Sequence, residues 1–252
     1  MSAERLLAVA ILVVLAAACG MARRPRALNG LVVFVIGILA VALAWRWAAT
    51  GHPPVFGTYE MDLAETLTLL ACGLWIDRRW RRPFPRAALV VAGLTLAHTF
   101  MLDPAPTPLT ISEVSLWIDL HAVLAWLAWA CFFHALFVAF APVDEGELGL
   151  RLLGWGFAAQ SAMGFVGVYY GTLLFATPWS WDPVQTLGLL SWLLTAMALH
   201  FRLFFQLSLY RQRYFLLVVV VVFVLSGKLI MFLPPGQTFH VFELGVLAPA
   251  SP

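Results

Sequence analysis

The sequence predicts an all-α, polytopic membrane protein with about eight transmembrane helices and both termini outside. Three observations predict this class: an apolar composition, a succession of apolar runs, and arginines confined to alternate loops. Of the 252 residues, 62% are hydrophobic and only 11% are charged, and mean hydropathy is +0.90. Soluble domains carry roughly 25% charged residues, so a soluble globular enzyme and a disordered chain are both excluded. The length accommodates about eight spans of ~20 residues with short loops, which we interpret as one transmembrane domain, residues 1–252.

Apolar runs bounded by polar residues, Pro or Gly place the helices. The predicted spans are residues 5–22, 27–49, 62–76, 87–102, 116–141, 150–175, 185–209 and 214–233. The third and fourth are the shortest. The first is interpreted as a true span and not a signal peptide, because its basic cluster follows the apolar run instead of preceding it.

The basic residues predict the orientation. Twelve of the 15 Lys and Arg residues lie at or beside alternate loops: Arg23, Arg24, Arg26, Arg78, Arg79, Arg81, Arg82, Arg86, Arg151, Arg202, Arg211 and Arg213. The other loops, 50–61, 103–115, 176–184 and 234–252, hold none. Cytoplasmic loops carry an excess of Lys and Arg, so the arginine-rich side is predicted to be cytoplasmic. The net charge of +2 gives no indication of a nucleic-acid partner.

Residues able to ligate a metal are few. The three cysteines, Cys19, Cys72 and Cys131, form no CxxC or CxxCH pattern, which argues against a c-type cytochrome, a thiol oxidoreductase and a zinc ribbon. The six histidines are His52, His98, His121, His134, His200 and His240. The predicted topology places four of them toward the outside, and His134 and His200 deeper toward the cytoplasm. A histidine at membrane depth is a candidate functional residue, although a packing histidine held by one hydrogen bond is the simpler interpretation of each.

The loop between the sixth and seventh spans is the most distinctive segment. It reads Ala176-Thr177-Pro178-Trp179-Ser180-Trp181-Asp182-Pro183-Val184-Gln185-Thr186. Tryptophan is common at membrane interfaces. Asp182 is suited to cap the next helix and Pro183 to be its first residue.

Trp179–Pro183 resembles the tryptophan-rich WWD motif of the cytochrome c assembly family, the CcsA/ResC-like haem-handling membrane proteins, which have CcmC and CcmF as relatives. Three further segments are similar to the CcsA type: Gly51–Glu60, Trp117–His121 and Leu199–Arg202. The resemblance covers about residues 40 to 242 and includes the outer tryptophan-rich loop 176–185. The chain departs from the family pattern at Tyr170 and Phe175, where tryptophans are usual, and at Val184-Gln185, where the family has Lys-Glu.

The resemblance implies a site for non-covalent, b-type, transient haem at the outer face, with His121 and His240 as axial ligands of the iron. Trp179 and Trp181 would lie along the macrocycle, and Asp182 would organise the loop or orient a histidine. His200 matches a membrane-embedded histidine that would hold an inner haem iron on the way out.

Two cations of the outer half, Arg46 and Lys228, would either snorkel to the interface or meet haem propionates. His134 is the other histidine at the depth of His200. It lies 13 residues after His121, a rotation of about 220° on an ideal helix. The two are therefore not expected to face one pocket.

The resemblance thus implies a haem-delivery protein of cytochrome c biogenesis in a bacterial cytoplasmic membrane, with the tryptophan loop facing the periplasm or exterior. A CcsB/ResB-like membrane partner and an apocytochrome c with a CxxCH motif are implied, which would make the chain the membrane component of a haem lyase. Two alternatives stay open. One is a membrane b-type cytochrome or electron-transfer subunit; the other is a non-catalytic assembly or regulatory relative, or a small-molecule transporter.

Overall fold

A computed structural model describes residues 3–20, 25–55, 57–105, 115–141 and 146–228. The regular structure in this part of the chain is helical, without a strand, which confirms the all-α class. Its α-helices are α1 (Ala3–Gly20), α2 (Pro25–Thr50), α3 (Thr58–Trp80), α4 (Arg86–His98), α5 (Leu116–Ala139), α6 (Gly146–Phe175), α7 (Pro183–Leu203) and α8 (Leu209–Lys228). A short 3-10 turn, Thr99–Met101, extends α4.

Four of the described helices are long and apolar enough to cross a membrane by length and composition: α2, α5, α7 and α8. The apolar segment Arg86–Met101 is shorter. Every predicted span overlaps a helix. The chain is therefore helical where spans were predicted, and four of those helices independently meet the requirements of a span.

Helix α3 is longer than the apolar segment 62–76 from which it was predicted. Glu60 lies in its first turn and Arg78 and Arg79 in its last, where acidic and basic side chains respectively suit the helix dipole. Near the same end, Asn29 of α2 donates from Nδ2 to Asp77 Oδ2 at 2.7 Å. These polar interactions allow the helix to continue beyond its apolar centre.

The helices form two compact units, one containing α1–α4 and the other α5–α8. In the first, α2 and α4 each pack against both α1 and α3. In the second, α6 and α8 each pack against both α5 and α7. The approach of α6 to α5 depends on a small residue, because a Cβ added at Gly156 would lie 2.5 Å from Phe132 Cε1. Small residues at such crossings are typical of membrane helix pairs.

Helix α7 ends earlier than the predicted span, which ran to residue 209. It stops at Leu203, and Gln206 adopts a left-handed conformation with φ 53°. The Leu207 N–H then donates to Phe201 O at 3.1 Å, and α8 begins at Leu209. This turn contains no Gly or Pro to mark it in the sequence, and the predicted span therefore continued through it to residue 209.

Candidate functional site

His121 lies in the second turn of α5 and its ring faces α6. Its Nδ1 is 2.9 Å from Met163 O, and the ring is half-buried against Gly167. A Cβ added at Gly167 would lie 3.0 Å from both Nδ1 and Cε1 of this ring. When Nδ1 donates to the carbonyl, the lone pair is on Nε2, which is the arrangement of a metal-ligating histidine.

The tryptophan loop begins on the same face of α6. Thr177 O lies 3.7 Å from the position of a Cβ at Gly171. Gly171 is one helical turn beyond Gly167, and residues four apart are neighbours on a helix surface. The structure therefore brings His121 and the start of the loop to adjacent turns of one helix face.

The end of the loop is fixed by the cap of α7. Asp182 is the N-cap residue and its Oδ1 accepts from Val184 N at 2.8 Å. Pro183 is the first residue of the helix, so both local roles expected from the sequence are confirmed. Asp182 is buried, with 4% exposure, so its carboxylate acts inside the loop and not at its surface.

Gln185 closes the loop, a role that the sequence interpretation missed. Its Oε1 accepts from Ser180 N at 3.1 Å and from Ser180 Oγ at 3.0 Å. At the other end of the loop, Thr177 Oγ1 donates to Trp179 O at 2.8 Å. The spacing of Asp182 and Gln185 is that of a capping box, and this signal could have identified Gln185.

The two tryptophans of the loop contact each other edge to face, with ring centroids 5.8 Å apart and an interplanar angle of 89°. Trp179 is half-buried, whereas Trp181 is 76% exposed. Trp181 also has a positive φ of 57°, which costs a non-glycine residue about 1–2 kcal/mol. The loop therefore holds a large aromatic ring outward in a strained backbone conformation, a feature often found at functional sites.

The two deeper histidines differ in environment. His200 is exposed on α7, where its Nδ1 lies 2.8 Å from Ala196 O and its ring stacks on Phe204 at 5.3 Å. His134 is 1% exposed. Its Nδ1 lies 2.9 Å from Ala130 O, and its buried Nε2 has no hydrogen-bond partner in the described part of the chain. His200 is thus accessible to a second molecule, and His134 is not.

Arg46 is held by carboxylates in the α1–α4 unit. It is buried, and its Nε donates to Glu60 Oε1 at 2.7 Å. Its Nη2 binds the same oxygen, and its Nη1 lies 3.4 Å from Glu4 Oε1. The guanidinium also lies 4.8 Å from the Tyr59 ring centroid. Burial raises the pKa of the Glu60 carboxyl, and the Arg46 charge opposes that rise.

Lys228, the second proposed cation, lies near Trp129 of α5. In the α5–α8 unit, the Lys228 ammonium is 5.9 Å from the Trp129 ring centroid. Trp129 is eight residues after His121 on α5, about 12 Å along the helix. His240 lies outside the described residues.

A histidine–carboxylate contact that the sequence did not reveal joins α3 to α4. His98 Nδ1 lies 2.6 Å from Asp62 Oδ2, and the Asp62 side chain is fully buried. The two residues are 36 positions apart, so no local pattern indicates the pairing.

The chain is similar in sequence to several cytochrome c biogenesis proteins named CcsA. No family model matches the chain. It is 26% identical to the cytochrome c biogenesis protein CcsA of Synechococcus sp. (strain RCC307), over 71% of this chain and 73% of the relative. The CcsA proteins of Prochlorococcus marinus (strain AS9601) and Chlamydomonas reinhardtii are 22% and 27% identical, each over 66% of this chain, and over 69% and 54% of the relative. These matches confirm the resemblance of the chain to the CcsA cytochrome c biogenesis proteins that the sequence predicted.

Proposed function

We propose that the chain acts in cytochrome c biogenesis by holding haem at the outer membrane face for attachment to apocytochrome c. The CcsA relatives support a role in cytochrome c biogenesis. Haem, the cargo, would supply the iron and the vinyl groups that react with the cysteines of a CxxCH motif. The residues of this chain would bind and orient it, as the membrane component of a haem lyase.

The observation that carries this proposal is the orientation of His121. The Met163 carbonyl and Gly167 fix its ring, and donation from Nδ1 to this carbonyl defines the tautomer in which Nε2 is the nitrogen that would bind iron. His240 is the proposed second axial ligand. The tryptophan loop begins beside the next turn of the same α6 face, where Thr177 O lies 3.7 Å from the position of a Cβ at Gly171. Trp179 and Trp181 are the proposed aromatic surface for the porphyrin.

An inner haem site is proposed at His200. This side chain is exposed on α7, which suits a site completed by a CcsB/ResB-like partner that donates the second ligand. Lys228 and Arg46 are the proposed propionate cations. Arg46 would have to exchange its contact with Glu60 for a propionate. The Lys228 ammonium lies 5.9 Å from the Trp129 ring centroid.

The proposed topology has eight spans in one domain of a bacterial cytoplasmic membrane, with both termini and the tryptophan loop on the periplasmic or exterior side. It is supported by the helices found at every predicted span and by the one-sided distribution of arginines.

A maturation assay tests the function. The full chain is expressed with its CcsB/ResB-like partner in a strain that lacks its own cytochrome c assembly system, together with a CxxCH reporter. Covalent haem on the reporter, detected by in-gel peroxidase stain, is expected with wild type and not with His121→Ala. Haem bound to the chain without reporter maturation would instead favour a permanent b-type cytochrome.

Gly167→Ala is expected to weaken haem binding about tenfold, the lower range for loss of a group that orients a metal ligand. The new methyl would meet the His121 ring at 3.0 Å and displace it from Met163 O. Haem titration followed by Soret absorbance measures the change. Gly164→Ala, one turn earlier on α6, is the matched control, because a Cβ there has no neighbour within 4 Å. Equal affinities of the two variants would contradict the positioning role.

Trp181→Gly is expected to separate haem binding from stability. Glycine tolerates positive φ, so the relief of strain offsets the lost contact with Trp179, and the melting temperature changes little. Haem affinity falls because the exposed aromatic surface is lost. A thermal melt and a haem titration on the same preparations measure both effects. A large fall in melting temperature with unchanged haem affinity would show that Trp181 is purely structural.

A further inference from the structure

A groove with an apolar body and a cationic end lies between α2 and α3. Its volume is about 610 Å³. The lining residues are Val33 and Ile36 of α2, and Ala71, Leu74, Trp75, Arg78 and Arg79 of α3. The spacing of residues 71, 74, 75 and 78 places them on one helix face. The groove therefore changes from apolar to cationic over about 10 Å along α3.

The cationic end is strongly positive. Arg78 and Arg79 are both exposed. Three more arginines follow within the next seven residues of the chain: Arg81, Arg82 and Arg86. The acidic group at this end is Asp77, whose Oδ2 accepts from Asn29 Nδ2 at 2.7 Å. An anion at the mouth of the groove would meet two guanidinium groups and a positive surrounding field.

The apolar part matches a hydrocarbon chain. Val33 is 45% exposed and Trp75 is 42% exposed, so the groove is open along its length. A tryptophan at this position is typical of the membrane interface. A ligand for the whole groove needs an alkyl chain about two helical turns long attached to an anionic head. Haem is disfavoured, because the lining residues include no His, Cys or Met to bind its iron.

We propose that this groove binds an anionic phospholipid of the cytoplasmic leaflet, with one acyl chain along α2 and α3 and the phosphate at Arg78 and Arg79. The positive-inside distribution of arginines places this end at the cytoplasmic surface. Basic pockets between membrane helices on that side are suited to anionic lipid headgroups. The bound lipid would lie alongside the Asn29–Asp77 contact, and its phosphate would neutralise two of the clustered arginines. None of the groove's lining residues is a proposed haem residue.

Quenching of Trp75 fluorescence by brominated lipid tests the proposal. The full chain is reconstituted in vesicles of phosphatidylcholine with a minor fraction of phosphatidylglycerol, with bromine on one lipid or the other. The chain has 11 tryptophans, so the fluorescence of Trp75 is obtained by subtracting the fluorescence of Trp75→Phe from that of wild type. Per mole of brominated lipid, phosphatidylglycerol is expected to quench Trp75 on the order of tenfold more effectively than phosphatidylcholine, because Arg78 and Arg79 attract the anionic headgroup.

Arg78→Gln/Arg79→Gln is expected to abolish this preference, and Arg78→Lys/Arg79→Lys to retain most of it. Arg211→Gln/Arg213→Gln removes the same charge at the start of α8 and is the matched control, expected to keep the preference. Equal quenching by the two lipids in wild type would overturn the proposal. So would displacement of brominated phosphatidylglycerol from Trp75 by equimolar haem, which would reassign the groove to the cargo. None of these variants touches His121 or the tryptophan loop, so failure here leaves the proposed haem site standing.

Discussion

Arg46→Met is expected to lower the free energy of unfolding by about 3–5 kcal/mol, the cost of leaving one member of a buried ion pair alone. Arg46 and Glu60 have side chains only 7% and 8% exposed, so little water reaches the carboxylate that remains. The second partner of Arg46, Glu4, is 42% exposed and can be solvated after the substitution. The orphaned Glu60 therefore carries most of the penalty.

The double variant Arg46→Met/Glu60→Leu distinguishes a lost ion pair from lost packing. Replacing both charges with apolar side chains of similar size is expected to recover most of the stability. Unfolding in detergent, followed by tryptophan fluorescence and circular dichroism, measures wild type and both variants. A single variant as stable as wild type would contradict the structural importance of this pair.

The penalty in Arg46→Met should depend on pH. Burial already raises the pKa of Glu60, and loss of the opposing cation raises it further. A carboxyl with a raised folded-state pKa binds its proton more tightly when folded, so stability falls as pH rises through that pKa. The deficit relative to wild type is expected to be smaller at acidic pH than at pH 8, a comparison that the same unfolding experiment provides. A deficit that grows on acidification would contradict this account.

His121→Gly is expected to abolish the low-spin, bis-histidine spectrum of the outer haem and to reduce the haem recovered with the purified protein. Both effects are expected because the substitution removes the proposed iron ligand, the imidazole ring that Met163 and Gly167 hold in place. Added imidazole is expected to restore the low-spin spectrum by entering the space that the side chain leaves. Rescue by imidazole would show that the variant is folded, since a collapsed site could not be restored. Unchanged spectrum and haem content in His121→Gly would exclude His121 as the ligand.

Much of the helical fold could be predicted from the sequence, because an apolar run in a membrane protein has few alternatives to a helix. The cap by Asp182 and the start of α7 at Pro183 were also predictable from local residue preferences. The early end of α7 was not, since its left-handed residue is Gln206 in an apolar run. Glycine or asparagine would have marked the turn.

The site was only partly predictable, because its supporting contacts are distant in sequence. Motif resemblance identified His121 and the tryptophans. It did not identify Gly167, which is one of several glycines in α6 and is distinguished by having the His121 ring packed on it. The ion pair between Arg46 and Glu60 was also not predicted, because a basic residue near the end of a span is equally consistent with a side chain that extends to the membrane interface.

Haem handling by this chain is tested by the haem content of the purified wild-type protein. It would be expressed with ample haem and its CcsB/ResB-like partner, and measured by pyridine haemochrome assay and a reduced-minus-oxidised spectrum. The haem is expected to be extractable into acidic acetone, and therefore non-covalent, and to give the pyridine haemochrome spectrum of b-type haem. Its low-spin spectrum is expected to be lost or altered in His121→Ala. A wild-type chain that carries no haem under these conditions would contradict haem handling and favour a non-catalytic assembly role.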